Sequence, residues 1–270
     1  MTTKTVRVAL TALVSTALVL STLVGSAGAM AAQPVRASGD PAVASTIQLA
    51  PRDAFVTSLY ADFLGRQPSP DEVGFWSTRL AAGAPRRTIA DSFANSDEYR
   101  LIRITATYRT VLGRDPDPTG ESWWLDALRR GVVTTDDMSK AFYNSDEFYA
   151  RAAARYNAPP NDGAFVDALY ASILGREAMG LEGFNWLNAA WAYTLGRFSA
   201  KPFLIDAIYD STEAARDRVQ PMYQQFLGRI ADEGGLEWWA SLDLRIGDSA
   251  VRGGFSGSDE YYSRAVSRYP

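Results

Sequence analysis

Two of the side chains that most often carry enzyme chemistry are missing from this 270-residue chain: it has no histidine and no cysteine. Ser-His-Asp and Cys-His nucleophilic catalysis, and metals held by His or Cys, are thereby excluded. No phosphate-cradling glycine loop follows a strand pattern. Glycoside hydrolysis stays open, because it needs only two carboxylates. The carboxylates that recur, however, are Glu98, Glu147, Glu213 and Glu260, each two residues after a serine in four similar stretches. A helix start already accounts for acids in that position, since they complement its free N–H groups. A catalytic pair should be unique, and no pair stands out, so no enzyme activity is expected.

Three further sets of residues could bind rather than react. Arg66, Arg114, Arg176 and Arg229 recur in step with the four glutamates. A guanidinium and a carboxylate repeated in register are expected to form a structural ion pair that locks the end of the first helix of a copy to the end of its third. Asp115, Asp117, Thr119, Gly120 and Asp126 fall at positions 1, 3, 5, 6 and 12 of an EF-hand-like loop. Pro116 and Pro118 stiffen that turn, its twelfth residue is not glutamate, and no other copy repeats it. No cofactor or metal is expected; calcium at Asp115, Asp117 and Asp126 is the one metal reading, and the acids serve better as helix caps. The last set is aromatic. Trp191 and Tyr193 stand in an insertion, Trp-Ala-Tyr-Thr-Leu-Gly-Arg-Phe, that the repeat does not need, and Trp123 and Trp238 are likewise surplus. Surplus aromatics of this kind could stack on a sugar ring or anchor a protein partner.

The elements that must position these residues follow from a fixed internal ruler. Leu64-Gly65-Arg66, Leu112-Gly113-Arg114, Leu174-Gly175-Arg176 and Leu227-Gly228-Arg229 each have a tyrosine four residues before the leucine (Tyr60, Tyr108, Tyr170, Tyr223). A tryptophan (Trp76, Trp124, Trp186, Trp239) stands 12 residues after each leucine. In the first copy Phe55, Leu59, Phe63 and Val56, Tyr60, Leu64 form two stripes at i, i+4, i+8, which predicts an amphipathic helix. The glycine after each leucine predicts its left-handed end. Ser69-Pro70-Asp71-Glu72 is a capping box for a second helix, and Asp117-Pro118 replaces it in copy two. The second helices carry the ruler tryptophan, expected in the core, and stop at Gly83, Gly131, Gly196 or Gly247. A third helix ends before Ser96, Ser145, Ser211 or Ser258, each of which caps the next helix. The expectation is an all-α helical repeat array of four roughly 48-residue three-helix units, each burying one apolar face against a neighbour, with no significant sheet.

Outside the repeats, Lys4 and Arg7, an apolar run from Val8 to Val24, and Ala27-Gly28-Ala29 predict a secretory signal peptide over 1–29. Residues 30–50 are expected to be a flexible stem, 51–156 repeats one and two, 157–163 a Pro-rich linker, and 164–270 repeats three and four. Removal of Lys4 and Arg7 takes the formal charge from −4 to −6, so nucleic acid is not expected as a partner. No later stretch is apolar enough for stable membrane insertion after signal removal. An exported chain without cysteine has no disulfide framework and depends on core burial.

The pattern Phe-Val-x-x-Leu-Tyr-x-x-x-Leu-Gly-Arg, an acidic Pro turn, Gly-x-x-Trp, Leu-x-x-Gly and Phe-x-x-Ser-x-Glu resembles the bacterial "domain of unknown function 4214" repeat, itself distantly similar to phycobilisome linker polypeptides. The resemblance covers residues 55 to 264. Copy three departs from it with Glu177-Ala178-Met179 in the turn and Ala214 where an aromatic is usual, and copy four with Ile230-Ala231. The resemblance implies an exported or surface-layer-like protein and supplies no catalytic residues. The expected function is an exported, non-catalytic binding or structural module at the cell envelope or outside the cell, with an envelope glycan or another extracellular protein as partner. The competing function is a carboxylate-dependent glycoside hydrolase acting on envelope polysaccharide.

Overall fold

The structure is a computed structural model, and it describes residues 49–157, 161–194 and 200–269, with the side chains of Trp191, Tyr193 and Thr194 outside the description. The signal peptide, most of the stem, the middle of the linker and Gly196 therefore lie outside the described residues. Among those described there are fourteen α-helices and no strand. Copy one holds α1 (Pro51–Leu59), α2 (Pro70–Ala81) and α3 (Arg86–Ala94); copy two holds α4 (Asp97–Thr107), α5 (Pro118–Arg129) and α6 (Thr135–Tyr143). Then follow α7 (Asp146–Arg155), copy three with α8 (Asp162–Ile173), α9 (Glu182–Thr194) and α10 (Lys201–Tyr209), copy four with α11 (Thr212–Met222), α12 (Glu233–Ile246) and α13 (Asp248–Ser256), and finally α14 (Asp259–Arg268). Each half is thus seven helices, two three-helix copies and one closing helix.

The helix ends follow the local chemistry. Ser96, Ser145, Ser211 and Ser258 each accept the N–H three residues on, from Tyr99, Phe148, Ala214 and Tyr261. Each also donates its hydroxyl to the carbonyl three residues back, so one side chain ends one helix and starts the next. The Tyr-to-Leu segment of the ruler is a π-helical turn in copies one, two and four, over Tyr60–Leu64, Tyr108–Leu112 and Tyr223–Leu227. Gly65, Gly113 and Gly228 close those turns at φ 65°, 67° and 67°, a conformation that favours glycine. Because α4 and α11 run unbroken into their π turns, the helix opened by Ser96 or Ser211 is itself the first helix of the following copy.

The copies do not stack in simple chain order. One core joins copies two and three, with Phe142, Tyr143, Phe148, Phe165, Leu169 and Ile208 among its members. The other joins copies one and four, through Phe55, Phe63, Phe93, Phe226 and Phe255. In this second core α3 lies against α13 and α1 against α14, so the array closes on itself. α3 comes close to Gly253 on α13 and to Gly257 at its C-terminal end: a Cβ there would stand 1.9 Å from Asp91 Oδ1 and 2.8 Å from Arg87 Cα. At Gly257 the neighbour is backbone, so a larger residue there would push the two helices apart, whereas at Gly253 it would displace the Asp91 side chain.

The second helices lie on the outside of this arrangement. Trp124 is buried, but Trp76, Trp186 and Trp239 are only half-buried against the two cores, a correction to their expected place in the core. An outer helix has neighbours on one side only, so even an indole keeps an edge in solvent.

Candidate functional site

Each copy builds the same small constellation from its ruler. The arginine after the left-handed glycine lies over the ruler tyrosine, at 4.7, 4.9, 5.0 and 5.0 Å from the ring centre for Arg66, Arg114, Arg176 and Arg229. It then grips a carboxylate with two parallel hydrogen bonds. Arg114 donates from Nε and Nη2 to Glu147 at 2.7 and 2.9 Å, and Arg66, Arg176 and Arg229 grip Glu98, Glu213 and Glu260 in the same way. The glutamate belongs to the helix that follows the third, rather than to the third itself, so the pair ties one copy to the next element of the chain. All eight residues are occupied with one another, and in half-exposed positions each pair contributes about 0–1 kcal/mol.

Two members of this constellation carry no signal in the serine-glutamate spacing. Glu72 and Glu182 stand four residues before Trp76 and Trp186 and give Arg66 and Arg176 a second bidentate partner. Their hydrogen bonds to the arginines hold both carboxyls down at about 2. Copies two and four have Gly120 and Gly235 at that position, where a Cβ would stand 2.3 Å from the Tyr108 and Tyr223 hydroxyls. The alternation of glutamate and glycine four residues before the tryptophan was the available clue.

Glu182 and Glu213 both line a cavity of about 350 Å³ among α8, α9, α10 and α11, with Tyr170, Trp186 and Ile208. They are the kind of pair that a glycoside hydrolase would use. Arg176 lowers the pKa of both, whereas a general acid needs a carboxyl raised towards neutrality. Carboxyls raised by burial are Asp62, Asp167 and Asp217, and, in a buried junction of α4, α6 and α10–α13, Asp136 and Asp243. Burial pushes Asp243 up to about 6 and raises Asp136. Asp243 accepts from Arg218 at 2.7 and 2.9 Å, and Asp136 accepts from the Tyr209 hydroxyl and caps the N–H of Asp248. Asp248 in turn accepts two bonds from Arg252 and lies 3.2 Å from Arg103. The Asp243 and Asp248 side chains are 1% and 2% exposed, so this junction offers no entry for a polysaccharide. It fixes how the two cores meet.

The acids of the EF-hand-like turn are dispersed. Asp115 pairs with Arg109, Asp117 caps α5 by accepting from Gly120 N, and Asp126 pairs with Arg130. Among the described residues no group of three or more His, Cys, Asp or Glu could hold a metal ion.

Of the aromatic candidates, Trp191 and Tyr193 lie where side chains are outside the described residues. Trp123 and Trp238 are 43% and 56% exposed, each set edge-on against the ruler tryptophan beside it at 4.7 Å. Phe75, 49% exposed and edge-on to Trp76 at 4.9 Å, is their equivalent in copy one. It escapes sequence reasoning because a phenylalanine in a helix looks like core. One face of each outer aromatic is thus held by an indole and the remainder meets solvent. Arg79 covers part of Phe75, while Trp123 and Trp238 have no such lid among the described residues.

A second cavity, of about 510 Å³, opens where α14 meets α1, α2 and α3, between Arg52, Leu80, Arg86, Arg87 and Tyr262. No helix among the described residues is long and apolar enough to cross a membrane.

Residues 48–101 and 104–152 match the family model described as Domain of unknown function (DUF4214). Copies three and four repeat the ruler and its ion pairs outside the matched segments. No curated protein and no solved structure matches the chain.

Proposed function

We propose that this chain, whose repeats one and two belong to the DUF4214 family, is an exported, non-catalytic binding module that holds a glycan of the cell envelope. The observation that carries this reading is the exposed aromatic set edge-on against a ruler tryptophan, found in three of four copies as Phe75, Trp123 and Trp238. An aromatic side chain left half in solvent loses the benefit of burial that its apolar surface would otherwise gain. Pinned in one orientation by a neighbouring indole, it presents a flat apolar face with little rotamer freedom left to lose on binding. A pyranose ring, with one face of C–H groups, is a fitting partner for such a face. Repetition along one chain adds avidity that a single weak site lacks.

The test is co-sedimentation of the purified chain with isolated cell-wall material, beside a Trp123→Ala, Trp238→Ala variant. Both residues are exposed, so the variant should fold and melt close to wild type. Retention of wild type and its loss in the variant is the expected result. Equal retention of the two, or none of either, would remove the aromatic faces as the binding surface.

A further inference from the structure

The 510 Å³ cavity at the α1/α3/α14 junction is lined by basic and apolar residues. Every charged residue in its lining is an arginine: Arg52 from the first turn of α1, and Arg86 and Arg87 from the first turn of α3. Leu80 and the Tyr262 ring supply an apolar wall. Two of the guanidinium groups are engaged. Arg86 lies over Tyr262 at 4.4 Å and pairs with Asp259, and Arg87 donates to Asp91 at 2.8 Å and to the Ala250 carbonyl at 2.9 Å. Arg52 is exposed and makes no hydrogen bond or ion pair among the described residues.

The other half of the molecule provides an internal control. There α7 packs on α8 as α14 packs on α1, and the same latch recurs: Lys201 lies over Tyr149 at 5.0 Å and pairs with Asp146 at 3.1 Å. Counted from Phe55 and Phe165, the counterpart of Arg52 is Asp162, which accepts a bond from the Tyr149 hydroxyl at 3.1 Å. Counted along the third helix, the counterpart of Arg87 is Pro202. The latch is therefore common to both places and structural in both. Arg87 is an extra cation at one place only, tied to Asp91 and to α13, whereas Arg52 is an extra cation that no contact among the described residues accounts for.

We propose that this cavity is a subsite for the carboxylate of a hexuronate unit in an acidic polysaccharide; the polymer as the source of that carboxylate rests on the glycan-binding reading above. The planar fork of a guanidinium matches a carboxylate with two parallel hydrogen bonds, and Arg52 is the one fork in the lining left to make them. One uncommitted cation calls for one negative charge, which a uronate carries. Its ring lies against Leu80 and Tyr262, and the volume falls within the roughly 300–1,000 Å³ of small-ligand sites. The start of α3 at Pro85, which has no side-chain acceptor, adds positive potential to the same wall.

Titration calorimetry with trigalacturonate, with maltotriose as a neutral trisaccharide and with inorganic phosphate tests the assignment. Wild type is expected to bind trigalacturonate, more weakly as salt is raised, and not maltotriose. Arg52→Gln should weaken binding about tenfold or more, the range for a lost hydrogen bond to a charged group. Arg52→Lys should recover little, because an ammonium has no fork. Neither change touches an internal contact, and unchanged thermal melts will show it. Unaltered binding by Arg52→Gln, no binding of trigalacturonate to wild type, or phosphate binding as strongly with the same dependence on Arg52 would each overturn the uronate subsite. Wall retention that depends on Trp123 and Trp238 without uronate binding would sink the subsite and leave the module's function standing. Uronate binding lost in Arg52→Gln without wall retention would do the reverse.

Discussion

Two of the places where the halves meet, α7 on α8 and α14 on α1, are built on one plan and held by different means. The ring pairs match: Phe148–Phe165 and Phe55–Tyr261 are both 5.9 Å apart and edge-on, and Tyr149–Phe165 and Phe55–Tyr262 are 5.4 and 5.6 Å apart. Beneath them the polar partners differ. The first seam has a Tyr143–Ser172 hydroxyl contact at 3.1 Å. At the second, Asp62, in the place of Ser172, accepts from Tyr261 at 2.9 Å and from Arg268 at 2.9 and 3.0 Å. The chain explains the difference. The first seam joins residues 17 apart in sequence and the second joins residues 206 apart, which costs about 2 kcal/mol more in loop closure. A charged hydrogen-bonded cluster contributes about 1.5–3 kcal/mol, enough to offset that cost.

The equivalence of the two ring pairs is open to the largest perturbation. Phe55→Ala and Phe165→Ala each remove a fully buried ring, and each should cost about 3–5 kcal/mol in urea unfolding. Agreement within about 1 kcal/mol would establish that the two seams do equal packing work. A cost confined to one of them would break the comparison at its base.

Between the cores, copies two and four differ at a residue that titrates. Copy two has Leu128 buried four residues after its ruler tryptophan, and copy four has Asp243 there. Burial raises the Asp243 carboxyl to about 6 against the pull of Arg218. A carboxyl raised on folding favours the native state fully below about pH 4, and that contribution fades as pH rises through about 6. Over this window wild type should therefore lose about 3 kcal/mol relative to Asp243→Asn. Urea midpoints at pH 4, 5 and 7 measure it, and a constant gap between the two proteins would show that Asp243 does not titrate there.

The polar locks should rank next. Asp62→Ala leaves Arg268 and the Tyr261 hydroxyl without their acceptor and should cost about 1–3 kcal/mol. Ser172→Ala at the tethered seam should cost about 0.5–1.5 kcal/mol. If the two were equal, the terminal seam would carry no stronger polar lock than the tethered one, and the charged cluster would not offset the closure cost.

How much of this was legible in the sequence depends on whether a feature is local. Helix starts at Ser96, Ser145, Ser211 and Ser258, the glycine ends and the all-α class follow from spacing, because capping involves neighbours three or four residues apart. The four arginine-glutamate pairs form as their register suggested. Closure of the array was not legible, since every copy presents the same apolar pattern and nothing local says whether copy one packs on copy two or on copy four. Asp62 looks like any exposed helical acid until α14 arrives 200 residues later, and Arg52 likewise becomes part of a cavity only through that closure. Phe75 is hidden for another reason: periodicity marks it as apolar but cannot tell an outer helix from an inner one.

The smallest expected difference concerns the latches over the seams. Arg86 stacks on Tyr262 and pairs with Asp259, while Lys201 stacks on Tyr149 and pairs with Asp146, all at half-exposed or exposed positions. Exposed ion pairs contribute about 0–1 kcal/mol and a cation over an aromatic ring about 0.5–1 kcal/mol. Arg86→Gln and Lys201→Gln should each lower the melting temperature by about 2–4 °C at low salt, with the shift shrinking as salt is added. Exchange of the cations separates geometry from charge. Arg86→Lys trades a plane for a point charge over the ring and should lose part of the stabilisation, and Lys201→Arg should gain it. Equal melting temperatures for the two exchanges and wild type would mean that charge alone sets both latches.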